Sequence, residues 1–218
     1  MSGHTKFPNL TIVDHPLVQH KLTILRDRET STSKFNQVLE EVALLLGYEV
    51  TRSLKLTTRE IETPMVPMQA PCLEADRMVI VSILRAGLGM VGGLRALMPT
   101  SFEGHVGLYR DPTTHEPVEY LVKLPAVKEG RVFIVSDPML ATGNSAAHAV
   151  DVLVDHGVSR SNIRFMALVA APEGIERFNR DHGEVPIFTA SLDDGLNDHA
   201  YIIPGLGDAG DRLFGTED

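Results

Sequence analysis

The 218-residue sequence has one cysteine and no tryptophan, and aromatic residues make up 6% of it. A single thiol closes no intramolecular disulfide, so a disulfide scaffold is excluded and Cys72 fits a reducing compartment. No apolar run approaches the 18 or so residues that span a bilayer. Residues 1–14 show no basic stretch followed by an apolar one, so no secretory signal is expected. An excess of positive charge is also missing. Twenty basic residues face 29 acidic ones, for a net charge of −9. Proteins that grip nucleic acid by its backbone usually carry a basic stripe, so non-specific nucleic-acid binding is disfavoured. An anionic small molecule remains compatible, because a pocket can be locally positive inside an acidic surface. Nine histidines are scattered without H-x-x-x-H or H-E-x-x-H spacing, which gives no reason to expect a protein-held metal. What is present is ordinary for a globular chain, with 43% hydrophobic and 22% charged residues.

The first third is expected to be mainly helical. Ser31, Thr32 and Ser33 offer N-caps, and Val38, Leu39, Val42, Leu45 and Leu46 form an apolar stripe at helical spacing. Gly47 either ends that helix or lies within it, and Pro64 and Pro67 break the chain into extended structure. The middle is different. Residues 77–83 and 131–135 are short, β-branched apolar runs, as expected of strands covered on both faces. A helix carrying Ala146, Ala149, Val150, Leu153 and Val154 follows the second run and stops at Gly157. A third strand over 163–170, a helix ending near Gly183 and a fourth strand over 186–190 complete the pattern. Repeated strand–loop–helix units predict an α/β fold with a parallel sheet flanked by helices. Residues 106–109 and 118–122 bracket a polar turn and predict an antiparallel flap, about 104–124. The methionines Met65, Met68, Met90 and Met98 read as core filler.

Ligands of open parallel sheets bind at the carboxyl ends of strands, and two loops qualify. Asp137-Pro138-Met139-Leu140-Ala141-Thr142-Gly143-Asn144-Ser145 follows a buried strand and opens a helix, where free N–H groups and the positive helix end favour a phosphate. Asp137 is placed to accept bonds from sugar hydroxyls. The second loop carries Arg85 followed by Gly87, Gly89 and Gly92 in G-x-G-x-x-G spacing. That spacing alone is weak evidence for a dinucleotide site, and the acid expected about 20 residues on, Glu103, ends no clear strand. Arg85 could instead pair with a second phosphate or a diphosphate. Asp193 and Asp194 flank Gly195 and read as support for a turn rather than as an acid–base pair. Residues 197–215, rich in glycine with little periodicity, read as a functional loop.

The 137–145 loop, Ile83-Leu84-Arg85-Ala86-Gly87 and residues 201–216 (YIIPGLGDAGDRLFGT) together resemble the uracil phosphoribosyltransferase family, in order and over nearly the whole chain. The resemblance implies one phosphoribosyltransferase domain over 1–218, with a C-terminal hood at about 192–218 that covers the base. It implies that uracil and 5-phosphoribosyl 1-diphosphate become UMP and diphosphate, with Mg2+ held mainly by diphosphate and water. It assigns residues 137–145 to the phosphoribosyl donor, and Arg85 and Arg110 to the diphosphate end. Ile202, Gly207, Asp208 and Ala209 are assigned to uracil, with Asp208 also touching the donor. Asp208 and Arg110 become the expected catalytic residues. A homodimer or homotetramer, a GTP effector and a cytoplasmic location also come with the resemblance. A cis peptide is expected at or next to the Arg85–Ala86 bond. Asn144 stands where the family commonly has a second glycine, and asparagine tolerates the positive φ that such a turn requires. Two alternatives on the same fold are an RNA-binding pyrimidine regulator and a nucleotide sensor without turnover.

Overall fold

The computed structural model describes residues 6–74, 77–110 and 117–216, without the side chains of Arg110 and Pro117. Strands β4 (Met78–Leu84), β7 (Val132–Ser136), β9 (Ile163–Ala170) and β10 (Ile187–Leu192) are the predicted buried strands. They lie side by side and parallel. Alternation along β4 explains the unbroken apolar run. Val79, Val81 and Ile83 enter one core and Ile80 the other, so every side chain is covered.

On the first face lie α1 (Pro16–Arg26), α2 (Thr32–Val50) and α3 (Leu88–Leu97). On the second lie α4 (Asn144–Asp155) and α5 (Pro172–His182). Ser31 caps α2, its Oγ accepting from Lys34 N at 3.4 Å, and the predicted stripe is buried apart from Leu45, which is half-buried. Helix α4 leads to a turn at Gly157, whose φ of 95° is left-handed.

The sheet runs β1-β10-β9-β7-β4-β5-β6, where β1 is Leu10–Ile12, β5 is Phe102–Arg110 and β6 is Pro117–Lys123; the short β8 (Met139–Leu140) joins β9. Only β6 is antiparallel along this path, pairing with β5 as the predicted flap. The flap's turn, 111–116, lies outside the described residues. Strand β4 leads through α3 to β5 on one side, while β7 leads through α4 to β9 on the other. The loops after β4 and β7 therefore part, leaving a crevice at their carboxyl ends.

Three expectations need correction. The first third also holds β1 and a hairpin of β2 (Thr57–Glu62) and β3 (Pro67–Cys72), apart from the main sheet. Thr63 Oγ1 accepts from Met65 N at 3.1 Å and Val66 N at 3.0 Å and closes the hairpin turn. Met65 and Met68 lie there, 87% and 43% exposed, whereas Met90 and Met98 are buried as expected. The glycine-rich segment after Arg85 is mostly helix rather than loop. Gly89, Gly92 and Gly93 lie inside α3, and a Cβ on Gly93 would stand 2.0 Å from Glu40 O. These glycines allow α2 to pack against α3, and Gly47, which lies inside α2, does the same from the other side with Leu94 Cδ2 2.8 Å from its missing Cβ.

Candidate active site

A cleft of about 330 Å³ opens at the parted strand ends. Asp137, Met139, Leu140, Ala141, Thr142, Gly143 and Ser145 line one side. The hood residues Ile202, Gly207, Asp208 and Ala209 line the other. Pro138 and Asn144 do not. Pro138 instead fixes the loop from behind, its carbonyl accepting from Leu168 N at 3.0 Å and Val169 N at 3.1 Å.

The loop turns into α4 at Gly143, whose φ is 81°. A Cβ here would lie 2.4 Å from Gly174 O, and one on Gly174 would lie 2.3 Å from Ala141 O. Two glycines thus let the loop sit on the start of α5. The left-handed residue is Gly143 and not Asn144, which already belongs to α4. No side chain caps this helix, so its first N–H groups face the cleft and attract an anion.

Asp137 stands at the end of β7, half-buried, with Oδ1 accepting from Met139 N at 3.3 Å. Burial pushes its carboxyl up to about 7; the negative charge of Asp208 adds to the rise and the Met139 N–H opposes it. Across the cleft, β11 (Gly195–Leu196) pairs with β12 (Ile202–Ile203), and α6 (Ala209–Phe214) ends the hood. Asp208 caps α6, its Oδ1 accepting from Asp211 N at 3.0 Å. Gly207 has φ 78°, and a Cβ there would have no neighbour nearer than Arg212 Cδ at 3.8 Å. Its backbone therefore stands open to the cleft.

Asp193 supports the hood, as expected. Arg26 Nη1 and Nη2 donate to its Oδ2 and Oδ1 at 2.8 and 2.6 Å, Ser191 Oγ donates at 2.6 Å and Gly205 N at 2.9 Å. Burial opposes its charge, but the Arg26 and Ser191 hydrogen bonds outweigh burial and hold the carboxyl below the ordinary range. Arg212 adds a second tie, donating to Leu206 O at 3.0 Å, to Asp27 O at 2.6 Å and to Leu25 O.

The cis bond expected at or next to Arg85–Ala86 is Leu84–Arg85. Ala86 lines the cleft. The exposed Arg85 guanidinium lies 5.5 Å from the Phe214 ring of the hood. Arg110 ends β5, and its side chain lies outside the description. The sequence reading put His199, Ala200 and Tyr201 in a functional loop without naming them as site residues, and all three line the cleft. Asn197 Oδ1 accepts from His199 N at 3.0 Å and Tyr201 N at 2.9 Å, and Ala200 takes a φ of 61°. An Asn followed by a short polar run was the available signal for that turn.

A largely parallel sheet with an anion-ready helix start and an acid at its strand end, facing a glycine-rich hood, defines a type I phosphoribosyltransferase. An adenine phosphoribosyltransferase of Trypanosoma brucei, solved with AMP, pyrophosphate and ribose-5-phosphate, shares the fold. It has a TM-score of 0.58 at 11% identity, over 95% of this chain and 91% of that one. Within that class, the chain belongs to the uracil phosphoribosyltransferase family, whose profile matches residues 12–216. Curated uracil phosphoribosyltransferases of Rhodospirillum centenum and Paraburkholderia phymatum are 63% and 57% identical to it, each over 100% of both chains. A solved protein of Aquifex aeolicus matches 95% of this chain and 99% of its own at 35% identity and a TM-score of 0.90. Among the described residues no helix is long and apolar enough to cross a membrane.

Proposed function

We propose that this chain transfers the phosphoribosyl group of 5-phosphoribosyl 1-diphosphate to N1 of uracil, giving UMP and diphosphate. The observation that carries this reading is the opposition of two surfaces across one cleft. The uncapped start of α4, with Asp137 beside it, suits a sugar phosphate, and the open backbone around Gly207 suits a flat base.

Residues 139–145 offer the 5-phosphate their N–H groups and the Thr142 and Ser145 hydroxyls, with Pro138 holding the loop from behind, and ionised Asp137 accepts from the ribose hydroxyls. Ile202, Gly207 and Ala209 hold uracil through backbone atoms. Displacing diphosphate builds negative charge on the leaving group, and Arg85 and Arg110 are assigned to stabilise it. Asp208 Oδ2 takes the N1 proton while Oδ1 caps α6. The negative charge that Asp137 and Asp208 bring to the cleft would favour Mg2+ entering with the donor, held mainly by diphosphate and water. Bound there, Mg2+ would supply positive charge to the departing group.

The reading treats residues 1–218 as one phosphoribosyltransferase domain in the cytoplasm. Family likeness adds GTP as an effector and a homodimer or homotetramer. Leu56, Met65 and Val66, exposed on or beside the hairpin, support assembly. Initial rates of UMP formation from uracil, the donor and Mg2+ test the activity, and absence of UMP refutes it. The same rates with GTP, and light scattering, test the effector and the assembly.

A further inference from the structure

Asn144 is where the loop departs from the family's usual second glycine, and its side chain has a definite partner. Arg177 Nε donates to Asn144 Oδ1 at 3.0 Å, while Arg177 Nη1 donates to Asp181 one turn further along α5. The guanidinium is thus fixed from two sides. Gly143 and Ser145, on either side of Asn144, line the cleft, and Asn144 does not. Arg177 also sits where the loop has no slack, its Cβ 3.1 Å from the place a Gly143 Cβ would occupy.

An asparagine in the first turn of a helix has a carbonyl oxygen that readily turns back over the free N–H groups. Doing so here would put a partial negative charge where phosphate oxygens must bind. We propose that Arg177 is a positioning residue: it draws the Asn144 side chain toward α5 and keeps the start of α4 open for the donor's 5-phosphate. The inference rests on the reading of 137–145 as the phosphoribosyl loop. It gives this chain a way to carry an asparagine next to Gly143 at the helix start, and it makes positions 144 and 177 interdependent.

The test is steady-state kinetics on the full chain with uracil, the donor and Mg2+. Arg177→Ala raises KM for the donor about five- to tenfold, within the net worth of a single hydrogen bond, and leaves kcat and KM for uracil within about twofold. Arg177→Lys recovers part of the loss. The decisive comparison is a double-mutant cycle. In the Asn144→Gly background no side chain needs to be held aside, so adding Arg177→Ala moves the donor KM less than about twofold. A merely structural role in α4–α5 packing gives the same KM rise in both backgrounds, and that result overturns the proposal, as does an unchanged KM in the single variant. Arg177→Gln replaces alanine if the latter fails to fold. Thr142→Val is the control for the underlying reading. If it leaves the donor KM untouched, the loop is not the phosphate site and the proposal falls with it. If it raises KM while the cycle shows no coupling, the inference alone fails.

Discussion

An Asp137→Asn substitution removes a charge that the free protein holds at a cost. Burial raises this carboxyl from 3.8 to about 7, with Asp208 contributing. Between those values the folded chain keeps a proton that the unfolded chain has released. Stability therefore falls as pH rises through the window, by about 1.4 kcal/mol per pH unit. The full window gives an upper bound of about 4 kcal/mol. Because the carboxyl keeps contact with water, roughly half of that is the better figure. Asparagine has the same shape and no charge to desolvate. The ligand-free variant should gain on the parent by about 1–2 kcal/mol between pH 5 and 8 and keep that margin unchanged above it. Urea midpoints measured without ligands across this range read the gain directly. Activity moves the other way. At pH 8 the variant loses its anionic acceptor for the ribose hydroxyls, and kcat/KM for the donor falls at least about tenfold, near 1.4 kcal/mol. The parent's kcat/KM should rise from pH 6 to 8 as Asp137 ionises, and the variant's should not. A stability difference that stays constant from pH 5 to 8 would show that the carboxyl ionises normally. An unchanged kcat/KM would remove Asp137 from the site.

Asp193→Asn leaves Arg26 without its carboxylate, and should lower stability by about 2–3 kcal/mol and raise KM for uracil more than KM for the donor. The depressed carboxyl stabilises the fold above its ordinary titration range, so the gap between parent and variant should narrow as pH falls through its lowered value; equal rises in both KM values would refute a hood-specific role. Gly93→Ala forces a methyl against Glu40 O and should cost about 1–3 kcal/mol or more in urea unfolding, with a near-zero change refuting the close approach of α2 and α3. Rates with different bases should favour uracil over cytosine by about 10⁴, because cytosine mismatches two positions of a fixed donor–acceptor pattern. Cytosine reacting within about tenfold of uracil would overturn the assignment of the hood backbone to base selection.

The parallel sheet was legible because β4, β7 and β9 are covered on both faces, which leaves unbroken β-branched runs in the sequence. The form of the 137–145 loop was legible for a similar reason: strand, Thr-Gly turn and helix are contiguous, so local chemistry specifies them. Glycine misled at α3. Gly89, Gly92 and Gly93 read as loop by propensity, yet contact with α2 and the hood requires small residues within a helix. Strand β1 is three residues long and takes its direction from β10, far along the chain. The hairpin is largely exposed, so no burial pattern marks it. The Arg26–Asp193 clamp joins residues 167 apart, and Arg177 reaches Asn144 across 33. Such pairs depend on the finished fold, and composition and spacing do not reveal them.

The cleft departs from what stability alone would select. Asp137 is desolvated, Ala200 takes a left-handed φ, and the first N–H groups of α4 are left without a side-chain cap. Each lowers the stability of the free chain, and each points into the same space. On the proposed reading, a 5-phosphate would satisfy the N–H groups and ribose hydroxyls would solvate the Asp137 charge. The substrate thus completes interactions that the fold leaves open. The compensating interactions lie just outside the cleft. Arg26 and Asp193 hold the hood turn, Arg212 ties α6 to the end of α1, and Gly143 and Gly174 lock the loop onto α5. These contacts need no ligand, so they hold the loop and the hood in place without one. Arg85 is the exception. Its exposed guanidinium rests on Phe214, a contact of about 0.5–1 kcal/mol at such a site, far weaker than a charge-assisted bond to a diphosphate. On the proposed reading it is the group beside the cleft that the diphosphate of an incoming donor would draw away.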